Sequence, residues 1–491
     1  LLNVELYHGN KRENVPKRLA RNDMVITTYN LVSREHKARG VLYKVDWKRV
    51  ILDEGHVIRN HKSQVCEAVC ALVAKKRWVL TGTPIHNKEM DLFSILKFLE
   101  CAPFNDIRVW KRWVDNKNLA GHERLAAVMK TLMLRRTKQE LMAAGALDSL
   151  PEKSYEEILV NLDREERDVY EKVMLYSKTI FAQFLHQRAE KQHMFAMGAG
   201  AYDQPYIRRD NPFNKAQQKL LSQHADVKSH QILTLLLRLR QICIHPSLIN
   251  AMLDQEDLET NGIEGMGAEN DLTDGMKKMT IRNGYDDEVP DGPAEVSERV
   301  TQHLLTSDNP VFEKNRESSK LRKLIELLKK IIKTTNDKVI VVSQWTAALN
   351  IVAESLSHIK GATFKSLTGA VQVKDRGSLV DAFNNDKDPR ILLLSLTAGG
   401  VGLNLVGANH LVLIDNHWNP QLESQAQDRI YRFGQKKNVF IYKLLCHDTI
   451  EERIKAMQEK KLELAKNVLS GSGKVTSSKL SLDELKSLFG M

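Results

Sequence analysis

Two stretches of the chain alternate short, β-branched apolar runs with helical or polar segments, and that alternation calls for parallel sheets covered by helices. In the first stretch residues 24–28, 50–53 and 78–81 read as strands; in the second, residues 339–343, 391–395 and 411–415 do so. Apolar blocks such as Ile391-Leu392-Leu393-Leu394 have the length of buried strands. No block approaches the roughly 20 residues that a membrane-spanning helix needs, so no membrane partner is expected. The fold class is therefore α/β. In such sheets ligands sit beyond the carboxyl ends of the strands, and the unusual residues of this chain fall there.

Around the sheets the patterns are helical. Ser318-Ser319 reads as an amino-terminal cap, followed by Leu321, Leu324, Ile325, Leu328, Ile331 and Ile332 at the spacing of one buried helix face. Residues 163–188 and 215–244 also read as helices, the second ending in Arg240-Gln241-Ile242-Cys243-Ile244-His245-Pro246. Residues 250–315 carry many Asp, Glu and Gly without a sustained period, which reads as a mobile loop. From Ser470 a Gly/Ser/Lys linker leads to Ser481-Leu482-Asp483-Glu484, a capped amphipathic turn with Leu485, Leu488 and Phe489.

The acidic chemistry lies in the first stretch. Asp53-Glu54-Gly55-His56 emerges directly after the run Val50-Ile51-Leu52. Phosphoryl transfer to water needs one carboxylate to hold Mg²⁺ and a second group to orient the water, roles that suit Asp53 and Glu54. Thr81-Gly82-Thr83-Pro84 follows the next strand, placing two hydroxyls beside the pair. In the second stretch, Thr397-Ala398-Gly399-Gly400-Val401-Gly402 follows the strand 391–395, and its glycines let backbone amides approach a phosphate. Further on, Gln425-Ala426-Gln427-Asp428-Arg429-Ile430-Tyr431-Arg432-Phe433-Gly434-Gln435 sets two arginines three residues apart; on a helix they share a face, as a pair supplying positive charge to a phosphoryl group requires. Lysine plus arginine outnumber acids 73 to 62, a net charge of +11 that favours a polyanionic partner. The five cysteines include no C-x-x-C pair, so neither zinc nor a disulfide framework is expected.

The order of these segments, together with Met24-Val25-Ile26-Thr27-Thr28-Tyr29, Leu134-Arg135-Arg136-Thr137-Lys138, Leu150-Pro151-Glu152-Lys153 and Val341-Val342-Ser343-Gln344-Trp345-Thr346, resembles the SWI/SNF-type branch of superfamily-two helicase-like ATPases. The resemblance spans nearly the whole chain. It implies two RecA-like parallel-sheet lobes with a helical insertion: residues 1–150 the carboxyl-terminal part of lobe 1, 151–317 the helical protrusion and acidic insertion, 318–470 lobe 2, and 471–491 a linker and short helix. ATP and Mg²⁺ are the implied cofactors and double-stranded DNA the implied partner. Asp53, Glu54, Arg429 and Arg432 are the implied catalytic residues, Asp53 holding the metal and Gly402 also near ATP. Coupling falls to His56, Thr81, Gly82, Thr83 and Gln425. Thr27, Thr28, Ser343, Gln344, Trp345, Thr397, Gly399, Gly400 and Trp418 are implied near DNA. Likeness to the lodestar-type ATPases of transcription termination further implies RNA polymerase II as cargo and the nucleus as location.

Two departures stand out. Position 431 is Tyr where many relatives have His, and no G-x-x-x-x-G-K-[ST] precedes the acidic pair. With an opening Leu1-Leu2-Asn3 and no initiator methionine, the chain reads as a fragment, inactive alone. A strand-separating helicase and a non-catalytic scaffold gripping DNA or polymerase stay open as alternatives.

Overall fold

The structure, a computed structural model, describes residues 2–9, 12–82, 89–114, 119–136, 138–145, 150–198, 229–252, 309–396, 402–469 and 482–490. It divides into two compact units, Leu1–Ala144 with Met457–Leu485, and Gly145–Ala456 with Lys486–Met491. Both are α/β with parallel strands, as the alternation of runs requires.

In the first unit β1 (Val4–Leu6) pairs with β2 (Met24–Ile26), and β3 (Val50–Leu52) pairs with β4 (Arg77–Val79), each pair parallel. β2 stops at Ile26, two residues short of the expected end, because Thr28 turns to cap the helix Tyr29–Ala38, its Oγ1 accepting from the Leu31 amide at 3.3 Å. Ser63 caps Gln64–Cys70 in the same way. These helices bury Leu31, Val32, Cys66 and Val69 with Tyr7, Leu19, Leu42, Leu52, Ile58 and Phe98. A second cluster gathers Leu92, Phe93, Leu96, Trp110 and Val114.

The second unit is built on a six-stranded parallel sheet in the order β5-β10-β9-β6-β8-β7. Its strands are β5 (Lys153–Val160), β6 (Val339–Ser343), β7 (Phe364–Leu367), β8 (Ile391–Ser395), β9 (His410–Leu413) and β10 (Val439–Cys446). β6 and β8 match the sequence reading residue for residue. Every residue of β6, β8 and β9 is buried, since helices cover both faces. Strand alternation sorts the side chains: Val339 and Val341 join Leu324, Ile325 and Leu328 of the helix Ser319–Thr334, while Ile340 and Val342 join Phe383, Leu394 and Leu413 on the other face. Ser318 caps that helix as the spacing implied, its Oγ accepting from the Leu321 amide at 3.2 Å.

β5 lies in the stretch read as helical insertion, and it pairs with β10 along its whole length. The helix Arg164–Gly198 follows it, and Ser229–Ile244 forms the last part of the second expected helix; residues 215–228 lie outside the described residues. The mobile-loop reading of residues 250–315 also falls mostly outside them, at 253–308. Its end is fixed in the fold, because Val311 and Phe312 are fully packed at 0% and 1% exposure. The expected terminal turn is the helix Leu482–Phe489, with the Phe489 ring 4.8 Å from that of Phe181 and Arg453 Nη1 donating to the Leu488 carbonyl at 2.8 Å. Among the described residues no helix is long and apolar enough to cross a membrane.

Candidate nucleotide and nucleic-acid site

The acidic pair sits where β3 ends. Leu80 N–H donates to Leu52 O at 2.8 Å and Gly55 N–H to Leu80 O at 2.9 Å, so the two strands stay in register through the turn. Between them Glu54 takes the left-handed conformation, φ 48° and ψ 51°, which lifts its carboxylate out of the ladder. Asp53 is exposed and accepts the Glu54 amide on Oδ1 at 3.0 Å, which leaves its second oxygen to other partners. Gly55 is buried hard against β4, and only a glycine fits, since a Cβ would lie 2.2 Å from Val79 Cγ1.

Around the pair, His56 Nδ1 lies 3.3 Å from Glu54 Oε2. Tyr29 donates its hydroxyl to the Asp53 carbonyl at 2.7 Å. Burial pushes the Tyr29 phenol well above its ordinary range, with Asp53 and Glu54 adding to the effect, so it is a fixed donor at neutral pH. Sequence reasoning missed Tyr29 as part of this site; an aromatic hydroxyl just after the paired threonines is the signal it left. Thr81 follows β4 after one residue, Leu80, and Gly82 O accepts from Arg135 Nη1 at 3.3 Å. Thr83 lies outside the described residues. A carboxylate oxygen set at an exposed strand end is the hard donor chemistry that Mg²⁺ takes.

The DNA-implied threonines divide. Thr28 spends its hydroxyl on a helix cap, and Thr27 Oγ1 is buried with no hydrogen-bond partner among the described residues.

In the second unit the loops after β6 and β9 are tied together by Asp415. Ser343, fully buried, donates its hydroxyl to Asp415 Oδ2, and the Gln344 amide lies 3.2 Å from both carboxylate oxygens. Ser343 Oγ in turn accepts from the Trp345 amide at 3.1 Å. Burial raises the Asp415 carboxyl to about 6, against the lowering pull of Ser343, Arg240, the Gln344 amide and Lys320. Like Asp53, it closes an apolar run at a strand's carboxyl end. Arg240 comes from the helix Ser229–Ile244 and is 1% exposed, its Cζ 4.9 Å from the ring centroids of both Trp345 and Trp418. It donates through Nη2 to the Asn416 carbonyl. Sequence reasoning left Arg240 without a role. Its signal was a charge placed in an apolar stripe, in step with Leu236 and Cys243.

The arginine segment corrects one expectation. The helix Pro420–Gln427 ends before Arg429, with Asp428 as its cap, so the two arginines do not share a helix face. Arg429 is 7% exposed and its carbonyl accepts from Leu405 N–H at 3.1 Å, whereas Arg432 is exposed. Gln435 holds the turn, its Nε2 reaching the carbonyls of Val406, Ala408 and Ile430 at 3.2, 2.8 and 3.2 Å. Tyr431 packs into the sheet core with Lys153 Nζ 5.6 Å from its ring centroid. Gln425 is half-buried on the preceding helix, and Gly402 takes φ +23°. Thr397, Gly399 and Gly400 lie outside the described residues.

Residues 1–248 match the SNF2-related domain and residues 319–434 the helicase conserved C-terminal domain. The chain is 51% identical to Transcription termination factor 2 of Drosophila melanogaster over 514 residues, covering 100% of this chain and 48% of that protein. It is 31% identical to the Probable global transactivator of Orgyia pseudotsugata multicapsid polyhedrosis virus, covering 100% of this chain and 80% of that one. A solved SWI2/SNF2 ATPase core of Sulfolobus solfataricus in complex with dsDNA is 24% identical over 99% of this chain and 81% of its own, at a TM-score of 0.38. The chain thus spans about half the length of the fly relative. On the two domain matches and the viral relative, the chain belongs to the SNF2-related family, joining an SNF2-related domain to a helicase conserved C-terminal domain.

Proposed function

We propose that this chain is the greater part of an ATP-driven motor that moves along double-stranded DNA and displaces bound protein, RNA polymerase II during termination of transcription, in the nucleus. The observation that carries the reading is the acidic pair raised at the end of β3, with the β4 loop registered beside it through Gly55 and Leu80. Identity to a transcription termination factor supports the choice of cargo.

In this reading Asp53 holds Mg²⁺ through water, and the metal when bound neutralises charge on the phosphates. Glu54 orients the attacking water, and His56, Thr81, Gly82, Thr83 and Gln425 pass the state of the nucleotide onward. Gly402 lies by the nucleotide, while Arg429 and Arg432 supply positive charge to the transferring phosphoryl group. Thr27, Thr28, Ser343, Gln344, Trp345, Thr397, Gly399, Gly400 and Trp418 form or support the duplex-facing loops. Their contacts are mainly to phosphates, so affinity falls steeply with salt and depends little on sequence.

The test is ATP hydrolysis by the full-length protein with and without duplex, beside a Glu54→Gln variant. Duplex stimulation, cut about 100-fold or more in the variant, is the expected result. Hydrolysis absent under all conditions turns the reading to a scaffold, and stimulation by single strands with strand displacement turns it to a helicase.

A further inference from the structure

Arg240 reaches two loops at once from a helix that belongs to neither. Its guanidinium lies 4.9 Å from the ring centroids of Trp345, after β6, and of Trp418, after β9, and donates to the Asn416 carbonyl between them. Asn416 is itself fixed, its Nδ2 donating to Glu451 O at 2.8 Å. Both indoles are half-buried, and neither indole N–H has a hydrogen-bond partner among the described residues. An indole N–H donates only and cannot accept, so a pair of them held beside a buried cation suits an acceptor that carries negative charge.

We propose that Arg240 is the positioning residue of the duplex-facing surface: it holds Trp345 and Trp418 as a fixed pair whose N–H groups donate to phosphate oxygens of the DNA backbone. The proposal rests on the reading that the loops after β6 and β9 face duplex. Cation–π contact to two rings sets both orientations before DNA arrives, so no rotamer ordering is left to oppose binding. Lysine preserves the charge but not the planar group that spans both rings and the Asn416 carbonyl.

The experiment measures, in the full-length protein, the duplex concentration that half-saturates ATP hydrolysis, the rate at saturation and thermal unfolding. Arg240→Lys is expected to raise the half-saturating concentration about tenfold and to leave the saturated rate within about twofold. Trp345→Phe and Trp418→Phe keep stacking and remove the donors, and each is expected to raise it about threefold, as loss of one modest hydrogen bond does. Combined with Arg240→Lys, either tryptophan change is expected to add little, because the residues act as one unit. Multiplicative effects, or an unchanged half-saturating concentration in a variant that still unfolds cooperatively, overturn the proposal. If Arg240→Lys does not fold, unchanged affinity in both tryptophan variants overturns it instead. Anisotropy with a labelled duplex separates this from the motor reading: binding without stimulated hydrolysis defeats the motor and leaves Arg240 to be judged on affinity, and absence of binding defeats both.

Discussion

Replacing Gly55 by alanine tests whether the acidic pair depends on the close approach of β3 and β4. The new Cβ would lie 2.2 Å from Val79 Cγ1, 3.6 Å from Val79 Cβ and 3.7 Å from Leu80 O. Carbon atoms rest at about 3.5–4.0 Å, so well over 1 Å of overlap with one methyl has to be relieved. The backbone can yield only by stretching the 2.9 Å bond from Gly55 N–H to Leu80 O, which is what registers the Asp53–Glu54 turn against Thr81. Overpacking of this kind costs about 1–3 kcal/mol, and a misplacement near 1 Å lowers turnover about 100-fold. Urea unfolding and duplex-stimulated hydrolysis of Gly55→Ala, Val79→Ala and the double variant read both effects. Val79→Ala alone costs about 1 kcal/mol. In its background the penalty of Ala at 55 is expected to shrink below about 0.5 kcal/mol, with hydrolysis largely restored. A penalty of the same size with and without the Val79 side chain refutes the argument.

Two further predictions concern the buried charges of the second unit. Lys320 and Glu451, both at 0% side-chain exposure and 2.6 Å apart, form an ion pair also fixed by the Ile414 carbonyl and the Cys446 amide. Lys320→Met strands the carboxylate and is expected to cost about 3–5 kcal/mol in denaturant unfolding, most of it recovered by adding Glu451→Leu; a single-variant cost under about 1 kcal/mol contradicts this. Asp415, facing Ser343, Arg240, the Gln344 amide and Lys320, has its carboxyl raised from 3.8 to about 6, so the folded state binds its proton more tightly than the unfolded chain. Its contribution to stability is therefore largest below about pH 4 and is lost as pH rises through 6, a change of roughly 3 kcal/mol. Unfolding of wild type and Asp415→Asn at stepped pH is expected to show that slope in the difference between them, and parallel curves refute it.

What could be read from the sequence follows how each segment is buried. β6 and β8 are apolar on both faces, so their limits are written in the run itself. The helix Ser319–Thr334 carries its cap and its stripe in plain order. β5 has neither mark: seven of its residues lie at least partly in solvent, Glu156 and Glu157 among them, and its strand character comes from pairing with β10, which local pattern does not record. The acidic pair and the β4 loop were legible because strand ends announce themselves. The end of the helix at Gln427 was not, because no glycine or proline interrupts the sequence before Gly434 and the turn is imposed by distant carbonyls reaching Gln435. Arg240 was hidden for the same reason, since its two rings are supplied by loops more than 100 positions away.

The parallel pairing of β5 with β10 also sets a timetable for synthesis. Ser154 meets Val439, 285 residues further along. At about 5–20 residues per second, β5 leaves the ribosome roughly 15–60 s before its partner exists. A strand that must wait that long without aggregating is helped by the charges it carries, Lys153, Glu156 and Glu157. Through that interval β5 has no partner strand to pair with, so it is itself a free template for any extended chain.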